Sequence, residues 1–258
     1  MTGDLAACVE LVKARDPARY RAAQIAPAPL RDALLVLYAF NAEIVHAAWS
    51  AREPALAEIR LQYWHDQVEA LFAGRSTDHH PVLDALSRAD WLQWQAGSDF
   101  LTLIAARRWD VWREPFPDTD ALWAYLRATG GTLMAMGARV MRMKDHYDGA
   151  IRDYGQAAAL AAFFVAVPGL KAHGRKPLPD EAPEALHALA QEALEKMEAT
   201  RKMRLMRAAL PVLLSASEAR PVLKRVVRQP ELVLSGGLER APFRQRLRML
   251  VNDVSGRW

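Results

Sequence analysis

Polar side chains that could act together lie within two apolar helical stretches near the N-terminus. Glu43 lies nine residues before a predicted turn near Arg52, and Arg60 lies eight residues after it. An antiparallel helical hairpin would bring Glu43 and Arg60 to the same level. The spacing therefore predicts a charge-assisted hydrogen bond between them in the interior, and Asn41 or Gln62 would satisfy the remaining donors. Two separate exposed charges are the alternative.

Other residue types that commonly carry chemistry do not form a recognisable set. His79 and His80 have no further ligand at metal-binding spacing, so we expect them to cap or pack a helix. Asp145, Asp148 and Asp153 lie near basic residues and are interpreted as solvated side chains. The sequence contains no Gly-x-Ser-x-Gly, phosphate-binding glycine loop or His-Glu-x-x-His pattern. It therefore predicts no metal site and gives catalysis little support.

Composition limits the class of protein. The chain has 258 residues, of which 52% are apolar and 25% charged, a balance that favours one globular domain over disorder. The single cysteine, Cys8, excludes an internal disulfide. Asp4 and Glu10 interrupt the pattern of a signal peptide, so a cytoplasmic location is expected. The longest apolar stretch, Ala157–Val167, is shorter than the roughly 20 residues that a membrane-spanning helix needs.

Positive charge accumulates in the C-terminal third of the chain, although the net charge is only +4. A solvated helical face is the favoured interpretation, and peripheral contact with anionic lipid headgroups at the inner membrane face is the alternative. Nucleic acid is not expected, because aromatic residues do not alternate with these charges. The basic residues are Arg201, Lys202, Arg204, Arg207, Lys224, Arg225, Arg228, Arg240, Arg244, Arg246 and Arg248.

Apolar residues recur at helical spacing through nearly the whole chain, without strand-like alternation. The strongest patterns predict helices over Pro27–Ser50 and Pro54–Phe72, the second closed by Gly74. Further helices are predicted over Pro81–Leu86, Asp90–Arg108, Asp118–Met143, Gly149–Val167, Glu181–Ser217, Ala219–Arg228 and Pro242–Val254. These patterns predict an all-α fold in a single domain over residues 1–258.

Two features of the helical pattern need an explanation. Gly130 and Gly131 fall inside a predicted helix, where each glycine costs about 1 kcal/mol relative to alanine. Close helix packing is the favoured reason, and a kink beside a ligand pocket is the alternative. Pro168–Pro183 is rich in proline, glycine and basic residues, and is predicted to form a long surface loop.

A distinctive order of motifs runs along the chain. Its parts are Tyr38-Ala39-Phe40-Asn41-Ala42-Glu43, Arg60-Leu61-Gln62-Tyr63-Trp64-His65-Asp66, Gly74, His80–Leu86, Tyr125–Gly137, the Gly155–Pro168 helix and Gly174-Arg175-Lys176-Pro177-Leu178-Pro179. This order resembles that of the squalene/phytoene synthases, although Leu133 stands where a family glycine is expected. The resemblance implies an isoprenoid-synthase-like helical bundle. It also suggests a pocket or structural polar cluster formed by Tyr38, Asn41, Glu43, Arg60, Gln62, Trp64, Tyr125, Gly130 and Gly131.

Catalytic family members hold prenyl diphosphate through Mg²⁺ ions bound by two aspartate-rich motifs, because the departing diphosphate carries several negative charges. The resemblance places the first motif at Val45, His46 and Trp49, and the second at Ala166 and Leu170. None of these residues is acidic. The residues that accompany the second motif, an asparagine and an arginine, are replaced by Ala162 and Val165.

The variant Ala-Phe-Asn-x-Glu resembles a non-catalytic subgroup of the family that includes a mitochondrial complex I assembly factor. The resemblance implies an assembly factor for respiratory complex I, or a pseudoenzyme that binds an isoprenoid or lipid. Its partners would be complex I subunits or that ligand, and no cofactor is expected. The alternative is a divergent prenyl transferase for head-to-head condensation of prenyl diphosphates, which would require Mg²⁺.

Overall fold

The computed structural model describes residues 3–51, 53–112, 114–203 and 207–238, and every regular element in these ranges is helical. The predicted all-α fold is confirmed. The predicted helix over Pro242–Val254 lies outside the described residues. The chain divides into two compact units, one of residues 1–112 and 136–143 and the other of residues 113–135 and 144–258. The single domain expected over residues 1–258 stays a prediction.

The first unit is built around one long apolar helix. Its helices are α1 (Gly3–Arg15), α2 (Pro17–Ala23), α3 (Ala28–Trp49), α4 (Pro54–Phe72), α5 (Pro81–Ser87), α6 (Gly97–Ala106) and α7 (Arg108–Trp112). Helix α3 packs against α1, α4 and α5, and its buried residues include Leu34 and Phe40. The Phe40 ring meets Trp64 of α4 and Phe100 of α6 edge-on, at centroid distances of 5.7 and 5.0 Å. The predicted bounds of α3 and α4 agree with the structure.

Helix starts in this unit follow local sequence rules. Proline occupies the first turn of α2, α3, α4 and α5, where its missing N–H leaves no intrahelical bond unmade. Asp16 caps α2 by accepting a hydrogen bond from the Arg19 amide at 3.0 Å. His80 caps α5, and its Nδ1 accepts from the Val82 amide at 3.2 Å. The capping role expected for this histidine is confirmed.

The second unit is organised around another long helix, α10. Its elements include α8 (Thr119–Leu126), α10 (Asp148–Ala172), α11 (Pro183–Lys202), α12 (Leu210–Leu213), α13 (Ala219–Arg228) and α14 (Leu232–Ser235). Helix α9 (Thr132–Val140) follows a π-helical turn at Arg127–Gly131, and its residues from Met136 onward belong to the first unit. Helix α10 packs against α8, the π turn, α11, α13 and α14. Buried phenylalanines and small residues on α10 supply much of the core of this unit.

Helix α10 corrects the predicted boundary at Pro168. The helix continues through Pro168 to Ala172, so the predicted surface loop begins too early. Proline removes one hydrogen-bond donor but leaves a helical φ, and a long packed helix can absorb that loss.

By length and composition alone, the stretch Asp145–Ala172 could cross a membrane, and half of its most apolar window is buried inside the protein.

Three predicted long helices are interrupted in the structure. The segment predicted as Asp90–Arg108 contains a 3₁₀ turn at Asp90–Trp94 before α6 and α7. The segment predicted as Asp118–Met143 contains the π turn and ends in a tight turn after Val140. In the segment predicted as Glu181–Ser217, helix α11 ends at Lys202. The apolar pattern of the first two segments does not reveal these breaks, because a 3₁₀ or π turn can still bury one face of the chain.

The π turn explains the glycine pair. A Cβ atom on Gly130 would lie 2.5 Å from the Ala159 Cβ and 2.8 Å from the Gly155 carbonyl oxygen. A Cβ atom on Gly131 would lie 2.9 Å from the Arg152 carbonyl oxygen. These glycines therefore let the π turn approach the backbone of α10 closely, as the favoured interpretation predicted.

Candidate functional site

The positions of the first aspartate motif lie at the C-terminal end of α3. Val45 is half-buried, His46 is exposed, and the Trp49 side chain retains 42% of its accessible surface. Between Asn41 and Ala51 the only acidic residue is Glu43. This end of α3 thus presents an indole, an imidazole and a valine, which cannot supply the carboxylate oxygens that Mg²⁺ prefers.

The positions of the second motif lie in the C-terminal half of α10. Ala166 is exposed, and Leu170 is buried. The neighbouring positions are also apolar, occupied by the exposed Ala162 and the half-buried Val165. No acidic residue occurs between Tyr154 and His173. Helix α10 does carry Asp148 and Asp153 nearer its start, but these carboxylates pair with Arg152 at 2.6 Å and with Arg127 at 2.5 Å.

Glu43 and Arg60 do not form the predicted pair. The Arg15 guanidinium donates to the Glu43 carboxylate at 3.4 Å, whereas Arg60 is exposed and donates to the Ser50 hydroxyl. The hairpin does bring α3 and α4 together, but the buried stripe of α4 passes through Leu61, next to Arg60. Arg60 therefore projects to solvent, while Glu43 faces α1. The interior hydrogen bond was a wrong prediction.

The amides expected to complete that bond are also apart from it. Asn41 is buried, and its Oδ1 atom accepts no hydrogen bond from the described residues. Gln62 is exposed, donates to Asp66 at 2.7 Å and accepts from Arg108 at 3.1 Å. Gln62 thus belongs to a surface network rather than to an interior cluster.

The remaining aromatic residues of the predicted cluster serve packing. Tyr38 is buried, and the Arg19 guanidinium lies 5.7 Å from its ring centroid. Burial raises the pKa of the Tyr38 phenol well above its usual value, so the group stays neutral near pH 7. Trp64 meets the His80 ring edge-on at 5.1 Å. Tyr125, in the second unit, contacts the rings of Phe116 and Phe163.

Two features were given no role by the sequence. His65, Asp66 and Glu69 on α4 place ligand-capable atoms within 4.8 Å of one another, at a spacing of one and four residues. Both carboxylates are exposed, and Asp66 is already engaged by Gln62, so this group gives little support for metal binding.

Burial, together with the Asp4 and Glu43 carboxylates, raises the pKa of the Cys8 thiol to about 12, which excludes a nucleophilic thiolate at neutral pH.

The helical order, the motif sequence and the lost carboxylates point to one class of protein. The sequence profile of the squalene/phytoene synthase family matches residues 12–206, and the chain belongs to this family. The fold agrees with solved structures. A squalene synthase, HpnC, from Alicyclobacillus acidocaldarius superposes with a TM-score of 0.75 at 17% identity, covering 88% of this chain and 94% of that one. A dehydrosqualene synthase in complex with ligand also reaches 0.75, at 14% identity, covering 98% and 96%.

Curated relatives carry a different description. The chain is 25% identical over 198 residues to "NADH dehydrogenase (ubiquinone) complex I, assembly factor 6" of Bos taurus, covering 76% of this chain and 59% of that protein. It is 28% identical over 200 residues to the Drosophila melanogaster homologue of that factor, covering 72% and 57%. The chain therefore spans somewhat more than half the length of these relatives.

Proposed function

We propose that this chain is a non-catalytic member of the squalene/phytoene synthase family that acts as an assembly factor for respiratory complex I. The observation that carries the proposal is the replacement of carboxylates at both metal motifs, by Val45, His46 and Trp49 on α3 and by Ala166 and Leu170 on α10. Without those carboxylates the chain cannot stabilise a departing diphosphate through Mg²⁺. A protein of this kind needs no cofactor.

The relatives in cattle and fly support the assembly role, because both are named for complex I assembly. The partners would be subunits of NADH:quinone oxidoreductase that have not yet joined the finished complex. An assembly factor for such subunits would act at the membrane that holds complex I. Peripheral contact with that membrane from the cytoplasmic side fits the basic residues in the C-terminal third of the chain.

A divergent prenyl transferase is the second candidate, and the similarity to squalene synthase and dehydrosqualene synthase structures favours it. That similarity concerns the fold, and one fold hosts many functions. A transferase would need to hold diphosphate by side chains other than those of the family motifs. The two candidates therefore differ in whether Mg²⁺ and prenyl diphosphate bind at all.

The decisive experiment removes the gene from its own cell and measures complex I. We expect membranes of the deletion strain to lose NADH:quinone oxidoreductase activity and the assembled complex on native gels. The wild-type gene should restore both, and a His46→Ala variant should restore them equally, because His46 is exposed and holds no metal in this proposal. Normal assembly of complex I in the deletion strain would overturn the proposal.

Calorimetric titration separates the second candidate. Farnesyl and geranylgeranyl diphosphate are added to the purified chain with and without Mg²⁺, and the mixtures are then analysed for condensation products. The assembly role predicts no Mg²⁺-dependent binding and no product. Mg²⁺-dependent binding followed by product would establish the prenyl transferase instead.

A further inference from the structure

A cleft in the first unit is lined by none of the residues at the two aspartate-motif positions. Its volume is about 410 Å³, within the ~300–1,000 Å³ typical of small-molecule sites. Helix α3 supplies an apolar floor through Leu30, Ala33 and Val36, and the 3₁₀ turn supplies the indoles of Trp91 and Trp94 as walls. The cleft therefore offers mostly apolar surface to whatever enters it.

The cleft lies on the other side of α3 from the first motif. Val36 and Val45 are nine residues apart. At about 100° and 1.5 Å per residue, this spacing puts them on opposite faces of the helix and roughly 13 Å apart along its axis. A ligand in the cleft would thus occupy a different site from a prenyl diphosphate held by the family motifs.

Arg142 lines this cleft in a backbone conformation that favours glycine. Its φ is +57°, and it is the only residue other than glycine with a positive φ in the described part of the chain. It closes α9, since the Met143 amide donates to the Ala138 carbonyl at 3.0 Å and the Arg142 amide to the Arg139 carbonyl at 2.9 Å. Glycine is usual at this position of such a helix end. An arginine here is unfavourable for the backbone, so its side chain must offer something else.

The Arg142 guanidinium is stacked yet still able to bind an anion. Its central carbon lies 4.6 Å from the Trp94 ring centroid. A cation–π contact of this kind takes up no hydrogen-bond donor of the guanidinium, so its N–H groups remain free for an anion. Among the described residues, Arg142 forms no ion pair and no side-chain hydrogen bond. The wall itself is fixed, because the adjacent Gln95 is buried and bonds to the Met136 carbonyl and to Arg139, both at 3.3 Å.

The other charges at the rim limit what the anion can be. Arg88 is paired with Asp4, and Asp32 with Arg31 at 3.0 Å. Asp90 also lines the cleft, and its carboxylate has no ion-pair partner within the described ranges. Asp32 and Asp90 would repel a ligand with several negative charges, such as a diphosphate. A group with one negative charge, such as a carboxylate or a phosphodiester, meets Arg142 with the least repulsion.

We propose that this cleft binds a singly charged amphiphilic anion, whose apolar chain lies on the α3 floor and whose anionic head, a carboxylate or a phosphodiester, is held by Arg142. The indole of Trp94 holds the guanidinium in place, and the left-handed backbone of Arg142 directs it to the rim. The same chemistry is offered by a free fatty acid and by the head and chain of an anionic membrane lipid. The site does not depend on the proposed role in complex I assembly.

The test uses the purified chain and three probes that share one alkyl chain, namely dodecanoate, dodecanol and dodecyltrimethylammonium. Calorimetry should show dodecanoate binding most tightly. Arg142→Gly should weaken dodecanoate at least about tenfold, the loss expected for one charge-assisted contact. The same variant should also melt at a higher temperature, since glycine suits the backbone there. Loss of binding in a more stable protein cannot arise from misfolding.

Two further variants sharpen the measurement. Ala85→Phe fills the cleft without changing Arg142 and should abolish binding of all three probes. Lys224→Ala removes an exposed cation from the second unit and should leave binding unchanged. The proposal is overturned if dodecanoate does not bind, if Arg142→Gly binds it as well as the wild type, or if dodecyltrimethylammonium binds equally tightly.

Vesicle sedimentation separates the two sources of the anion. Phosphatidylcholine vesicles, with and without phosphatidylglycerol, are mixed with the wild type and with Arg142→Gly. Sedimentation that requires both phosphatidylglycerol and Arg142 would assign the cleft to a membrane lipid. Dodecanoate binding without such sedimentation would assign it to a free fatty acid. If complex I assembled normally without the gene, the dodecanoate and vesicle results would still hold.

Discussion

Helices α10 and α9 end with the same hydrogen-bond pattern but with different residues at the position that needs a positive φ. After α10 that residue is Gly174, with φ +74°, and the Arg175 amide donates to the Leu170 carbonyl at 3.1 Å. After α9 it is Arg142, with φ +57°. The α10 end follows the general preference for glycine, and the α9 end departs from it.

Glycine is also required in the second unit where helices touch, although the backbone at those positions has no positive φ. Gly130 and Gly155 stand where α10 and the π turn approach so closely that a Cβ on either would overlap a neighbour. Residue types there are explained by the backbone alone. Arg142 is explained only by its side chain, which stacks on Trp94 at the edge of a cleft. The comparison therefore separates positions selected for packing from a position selected for contact with something else.

The largest effect is expected where glycine is required by packing. Gly130→Ala would place a Cβ 2.5 Å from the Ala159 Cβ, so the π turn or α10 must shift. Such overpacking should lower the free energy of unfolding by about 2 to 3 kcal/mol, measured by urea denaturation.

Gly149→Ala is the matched control, because a Cβ at Gly149 has no neighbour within 4 Å. Alanine in that helical position should raise stability by about 0.5 to 1 kcal/mol. If both variants shifted stability alike, the close contact between the π turn and α10 would not be what selects glycine.

Exchanging residues at the two helix ends should give effects of opposite sign. Arg142→Gly should raise the free energy of unfolding by about 0.5 to 1 kcal/mol, reduced by the lost contact with Trp94. Gly174→Ala should lower it by about 1 kcal/mol, since no atom obstructs a Cβ there and only the backbone conformation is affected. Urea denaturation of both variants checks this pair. A loss of stability in Arg142→Gly would mean that the arginine stabilises the fold and is not retained for a ligand.

The sequence was sufficient for elements with strong periodicity and clear ends. Helices α3, α4 and α13 have nearly their predicted bounds, because proline or glycine marks their termini or apolar spacing is regular. Breaks inside continuous patterns were missed. The π turn at Arg127–Gly131 and the extension of α10 beyond Pro168 both depend on packing between helices, which a pattern along one chain does not contain.

The prediction of the polar cluster failed because of the direction in which the side chains point, not because of the spacing between the residues. Counting residues correctly placed Glu43 and Arg60 in facing helices, but it could not show that Arg60 lies just off the buried stripe of α4. The cleft beside Arg142 was missed for a related reason. Arginine carries no signal for a positive φ, and the stacking on Trp94 joins residues 48 positions apart in the sequence.

Glu43 offers the smallest expected effect and tests whether an ion pair with Arg15 is a packing feature or a minor surface contact. The two side chains retain 18% and 38% of their accessible surface, so water screens much of their attraction. A double-mutant cycle of Glu43→Gln and Arg15→Gln should give a coupling of about 0.2 to 1 kcal/mol from urea denaturation. A matched cycle with Arg60→Gln should give none, because Arg60 bonds to Ser50 instead. Strong coupling between Glu43 and Arg60 would support the interior hydrogen bond that the sequence suggested. Glu43, like Gly130, would then be a residue required by packing.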